Sequence, residues 1–194
     1  KEDTTNKVTS FQATPDNIHY PSEKLVKDSL DAKAPIDSPT LTGTVTLPTI
    51  QLGESSIKLD ASLSADEKWS GITVAGTAGA TIAVGDVCYL ASTGKWLLND
   101  GILDGTDTGF SKQLGICVLA GDDTDPTEIL LYGKVRSAAF PAFTVGSPVF
   151  LDDTAGDLTV TSPSTTNFAV RIVGFALSAE ELMFNPSNDW AVNK

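Results

Sequence analysis

Few residues of this chain could do chemistry, and their spacing argues against it. The single histidine, His19, lies in the polar stretch NIHYP with no serine, cysteine or carboxylate placed to form a nucleophile–base–orienter set. It reads as an intersubunit contact or as plainly exposed. The loop NDGILDGTDTG offers Asp100, Asp104 and Asp107, and the loop AGDDTDP offers Asp122, Asp123 and Asp125. Oxygen-rich loops of this kind can hold Ca²⁺, but neither has the EF-hand spacing with its closing glutamate. Asp-Gly and Asp-Pro also mark ordinary surface turns, so no metal is expected. Asp152 and Asp153 are adjacent, and adjacent strand residues point to opposite faces; they are not read as an acid/base pair. There is no GxGxxG leading from a strand into a helix, no P-loop and no GxSxG elbow. Cys88 and Cys117 each sit in an apolar run, VCYL and GICVL, and read as small buried hydrophobes. A disulfide between adjacent strands is the alternative. Trp69, Trp96 and Trp190 could stack on sugars, although such aromatics more often fill a core edge or a subunit contact. Trp96 is kept as a candidate ligand surface for a host-surface glycan. The expectation is a chain that is not an enzyme and carries no cofactor.

The charge balance narrows the partners. Thirteen Lys and Arg against 25 Asp and Glu give a net charge of −12, with no basic cluster. Displacing counterions from a phosphate backbone needs such a cluster, and an anionic membrane surface would repel the chain. Neither nucleic acid nor membrane is therefore expected as a partner. Excess negative charge does keep a self-associating protein soluble. No apolar stretch reaches the roughly 18 residues that cross a bilayer. The opening residues KEDTTNK lack the apolar segment of a signal peptide, so the chain reads as soluble and not exported by the standard route. Recurrent Thr, Ser, Gly, Val and Asp favour strands and turns over helices.

Residues 1–70 and 71–194 follow different logic. The early part, through NIHYP, is polar and extended. In SEKLVKDSLDAKAP, Ser22 is a plausible N-cap, Glu23 and Lys27 form an i,i+4 pair, and Leu25, Val26 and Leu30 make one narrow apolar stripe. Pro35 closes the segment. A helix of about three turns is marginal alone and must pack on something; the same helix of sister chains is the natural candidate. Farther on, Leu41, Gly43, Val45 and Leu47 alternate with threonines, the period-two mark of a strand with one buried face. Ile50/Leu52 and Ile57/Leu59 resume the alternation after Pro48. These few strands cannot make a core by themselves. Copies wound together could bury Leu25, Val26, Leu30, Leu41, Val45 and Leu47 at a shared axis, as in a trimerisation stalk.

Residues 71–194 hold an internal repeat, spanning approximately 72–132 and 133–194. IAVGDVCYLASTGKW from Ile82 matches FTVGSPVFLDDTAGDL from Phe143, with Val84-Gly85 on Val145-Gly146, Cys88-Tyr89-Leu90 on Val149-Phe150-Leu151, and Thr93/Gly94 on Thr154/Gly156. LGICVLA at Leu114 matches VGFALSA at Val173, with Gly115 on Gly174, and EILLY at Glu128 echoes ELMFN at Glu181. Each copy reads as a turn, a strand, a hairpin turn, a strand, a loop and two more strands. The expected fold is mainly β: an extended, short-helix trimeric stalk followed by a β-barrel or sandwich-like domain with an internal duplication.

The segments YPSEKLVKDSL and SPTLTGTVTLP resemble the stalk segments of bacteriophage fibre proteins, which attach and trimerise a fibre. IAVGDVCYL, KQLGICVLA, GKVRSAAFPAFTVGSPVFL and RIVGFAL resemble a β domain of phage capsid decoration and fibre proteins. The resemblance implies a homotrimeric structural protein of the virion, seated on the capsid as a head fibre or decoration and exposing its β domain for adhesion to the host. A tail fibre, a receptor-binding tip or a capsid cement protein is the alternative. Its partners would be its own copies and other virion proteins. The resemblance carries over no catalytic residue.

Overall fold

A computed structural model describes residues 57–103 and 109–194 in full, together with the backbone of two short strands nearer the N-terminus. The chain forms two compact units, 1–56 and 57–194. In the first, β1 (Lys7–Val8) and β2 (Tyr20–Pro21) pair in parallel. The expected helix after Ser22, and the expected trimerisation residues Leu25, Val26, Leu30, Leu41, Val45 and Leu47, lie outside the described residues. Ile57 and Leu59, expected to continue a strand, instead lie in an irregular segment.

The second unit is mainly β. Its strands are β3 (Trp69–Thr77), β4 (Val87–Leu90), β5 (Trp96–Leu98), β6 (Leu114–Leu119), β7 (Pro126–Arg136), β8 (Pro148–Leu151), β9 (Leu158–Thr159), β10 (Ala169–Val170), β11 (Ile172–Ala176), β12 (Glu181–Phe184) and β13 (Ala191–Val192). A 3-10 turn at Gly109–Ser111 is the one helical element among the described residues. The main sheet runs β5-β4-β6-β7-β12-β11-β8-β9, with β3 also on β7, and it curls into a half-barrel. A separate ladder pairs β10 with β13.

The strand order reads the same from either end, because the repeat folds twice. In the first half β4 pairs with β5 and β6, and β6 pairs with β7. In the second, β8 pairs with β9 and β11, and β11 pairs with β12. Gly115 sits opposite Cys88 and Gly174 opposite Val149, the same place in each copy. Gly85 and Gly146, which precede the first strand of each copy, have φ of 101° and 81°. Such a left-handed backbone suits glycine. The long β7 joins the halves: Leu130 meets Ile116 of β6, while Gly133–Arg136 pair with β12.

Apolar side chains on both faces make two cores. The larger lies within the curl and draws on both halves, including Val87, Leu114, Ile116 and Leu130 from the first and Val149, Leu151, Leu182 and Phe184 from the second. The smaller, of Ala78, Ile82, Cys88, Trp96, Cys117 and Ile129, lies on the opposite face of the first half. It is covered by the segment after β3, where Ile82 and Gly121 exchange both backbone hydrogen bonds. Each large apolar side chain buried in this way contributes about 1.5–3 kcal/mol.

Candidate functional site

Residues 57–68 form a strap across the second half. The Lys134 ammonium is buried and donates to the carbonyls of Asp60 (2.8 Å) and Ala61 (2.9 Å). Its third partner is Glu181 Oε1 at 2.6 Å, an oxygen that has no other hydrogen-bond partner. Arg136 donates to Glu180 Oε2 (2.9 Å) and to the carbonyl of Leu63 (3.3 Å). The backbone N–H of Ala138 donates to Asp66 Oδ1 at 2.7 Å. Positive groups on β7 thus hold the strap and neutralise the carboxylates beside it.

Trp96 does not provide the expected ligand surface. It is 4% exposed and packs in the smaller core with Ile82, Cys88, Cys117 and Ile129. Of the three tryptophans, Trp190 presents its ring to solvent, edge-on to Phe110 with centroids 5.1 Å apart at 77°. Both cysteines are free and buried. Burial pushes both thiols above their ordinary range, Cys88 well above, and the neighbouring Asp86 adds to the effect. Neither thiol has the exposed, electropositive setting of a reactive cysteine.

The acidic loops are built as turns. Asp122 Oδ1 accepts from the Thr81 hydroxyl (2.9 Å), Asp125 Oδ2 accepts from the Asp122 N–H (3.2 Å), and Lys95 reaches Asp123 at 2.7 Å. Asp100 Oδ1 accepts from the Ile102 N–H. His19, Asp104 and Asp107 lie outside the described residues. Among the described residues, no three potential ligands come together. Asp152 and Asp153 do meet, contrary to the strand argument, because β8 ends at Leu151. A hydrogen bond with Asp152, reinforced by its charge, raises the exposed Asp153 carboxyl. The Asp86 carboxyl is raised chiefly by burial and further by Asp157, against the lowering effect of the Ala83 N–H it accepts at 2.8 Å. With Asp152 and Asp157 it lines a cleft also bounded by Ser137 and Phe140. Arg171 is spent on structure: it donates to the carbonyls of Phe110, Lys112 and Ser187.

Two surfaces are less complete. Strand β3, nine residues long, pairs only with β7 among the described strands. Its sequence, WSGITVAGT, holds no charge and no proline, the devices that commonly blunt strand edges. Ile72 on it is 62% exposed. The second surface lies on the outer face of β11 and β12, where Phe175 and Met183 sit opposite each other. Phe175 is 47% exposed and Leu177, just past the strand, 41%.

No protein-family model matches the chain, and no curated protein matches it significantly. No helix among the described residues is long and apolar enough to cross a membrane.

Proposed function

We propose that this chain is a structural protein of a bacteriophage virion: a homotrimeric fibre on the capsid, carrying the β domain outward for adhesion to the host surface. On this reading it works by assembly and contact, not by catalysis. The carrying observation is the nine-residue, uncharged edge of β3, which offers a ready register of hydrogen bonds to another strand. The stalk-like segments SEKLVKDSLDAKAP and TLTGTVTLP, whose apolar rows are too narrow for a core of their own, support the same reading. So does the net charge of −12, which suits a crowded particle surface.

The test has two parts. Light scattering of the full chain should return three times the chain mass of 20.3 kDa. Antibody labelling of intact particles under the electron microscope should decorate the head. A single-chain mass, or particles that bind no antibody, would overturn the proposal; gold confined to the tail would place the protein there instead.

A further inference from the structure

The internal repeat separates what the fold needs from what one copy alone carries. Leu90 pairs with Trp96 across the first hairpin as Leu151 pairs with Leu158 across the second. Tyr89 pairs with Leu97 as Phe150 pairs with Thr159. Asp152 and Asp153 therefore stand where the first copy has Ala91 and Ser92, and Thr159 stands where it has Leu97. The first hairpin forms with no carboxylate at either position. Asp152 does accept the Thr154 N–H at 3.0 Å, a bond that shapes the turn. The fold does not ask for a second carboxyl beside it, and two like charges in contact repel.

The same residues border a cavity of about 200 Å³, together with the loop that follows β9. Leu151 and Phe168, both buried, supply the apolar part of its lining. Thr161, Ser162, Ser164 and Thr165 supply hydroxyl groups. The loop is tied down on its own. Asn193 Nδ2 donates to the Pro163 carbonyl at 3.0 Å, and the Thr161 N–H donates to Thr159 Oγ1 at 3.2 Å. The Phe168 N–H donates to the Thr165 carbonyl at 3.2 Å. A pocket whose rim is already fixed spends little binding energy on ordering it.

We propose that this cavity binds one neutral sugar ring of a surface glycan. The lining selects that class. Carboxylates accept hydroxyl donors, and serine and threonine both donate and accept, as a polyol requires. Leu151 and Phe168 offer apolar surface to the C–H face of a ring. The carboxyl pair and the net charge of −12 repel acidic and phosphorylated sugars. Among the described residues the pair has no third ligand with which to hold a metal, so the sugar is held by direct contact. The volume admits one ring, not a chain. So small a site binds weakly, and copies on an oligomer multiply its strength. The inference rests on the proposed role in adhesion and names the ligand class and its place.

The test is saturation-transfer NMR of the full chain with the methyl glycosides of glucose, galactose, mannose and N-acetylglucosamine. At least one of them should receive transfer. Binding of that glycoside should weaken roughly tenfold in the double variant Asp152→Asn, Asp153→Asn, which loses both charged acceptors. Thr161→Val, which removes one hydroxyl without changing the carboxyls, should weaken it less. Val160→Ser, beside the lining but not in it, should bind as the parent does. No transfer to any of the four, or undiminished binding by the double variant, would overturn the pocket. Light scattering on the same samples separates the two readings. An oligomer without transfer would overturn the pocket alone, and a monomer that gives transfer would keep the pocket and overturn the fibre.

Discussion

Lys134→Met should uncouple the strap from the sheet. The ammonium uses three partners at 2.6–2.9 Å: Glu181 and the carbonyls of Asp60 and Ala61. Both charged side chains are about nine-tenths buried, at 9% and 10% exposure. Methionine keeps much of the stem's volume but leaves the Glu181 carboxylate buried without its counter-charge. Breaking such a pair from one side costs about 3–5 kcal/mol. The two carbonyls add less, because a released strap can turn them to water. A loss of about 3–4 kcal/mol is therefore expected, read by urea unfolding of the full chain followed through tryptophan fluorescence. Glu181→Leu alone should cost a similar amount, because it strands the ammonium. Combining the two removes both charges, so the double variant should sit within about 1–2 kcal/mol of the parent. Hydrogen exchange at residues 57–63 should accelerate in Lys134→Met and in the double variant, since both remove the donors to Asp60 and Ala61. A loss under 1 kcal/mol for Lys134→Met, or simple additivity in the double variant, would refute the pairing as described.

The two register glycines should differ in tolerance. A Cβ on Gly174 would meet the Met183 carbonyl oxygen at 2.2 Å, which is backbone, whereas one on Gly115 would meet the Ile129 methyl at 2.2 Å, which is side chain. Gly174→Ala should cost more than Gly115→Ala in thermal unfolding, roughly 3 against 1–2 kcal/mol; the reverse order would refute the close strand contact. Asp86 gives a pH dependence of definite sign. Its carboxyl is raised above 3.8 in the fold, so the folded chain holds that proton more tightly than the unfolded one. The resulting stability is present below pH 3.8 and is lost as pH rises through the folded value. Asp86→Asn keeps an acceptor for the Ala83 N–H and should flatten the stability profile over that window; an unchanged profile would refute the assignment.

The strand pairing was legible because turns announce themselves. Gly85, Gly94, Gly146 and Gly156 all take positive φ, and each stands where the repeat places a turn. What could not be read was which face each strand buries. VCYL, GICVL and ILLY are apolar without interruption, and a run with no period carries no face. A chain with cores on both sides of one sheet produces such runs. Trp96 takes the core-edge role open to any of the three tryptophans, because Ala78 and Ile82 fold over it, a covering that no pattern in the sequence announces. Asp152 and Asp153 were separated by an alternation rule that lapses one residue earlier, at the end of β8. The strap carried no periodic signal, because its hold on the sheet comes from backbone carbonyls meeting Lys134 and Arg136.

Duplication without symmetry of burial gives the two halves unlike outer faces: Val149 and Leu182 line the larger core, whereas their counterparts Cys88 and Ile129 line the smaller one. Had the halves packed front to front, both fronts would be sealed and the domain would end in two backs. Front-to-back packing instead leaves two unlike outer faces, one covered by Ala78 and Ile82 and one crossed by the strap at Lys134, with Phe175 and Leu177 exposed beside it. The net charge of −12 opposes indiscriminate contact between copies, and Lys134 and Arg136 neutralise Glu181 and Glu180 locally, where the strap lies on the sheet.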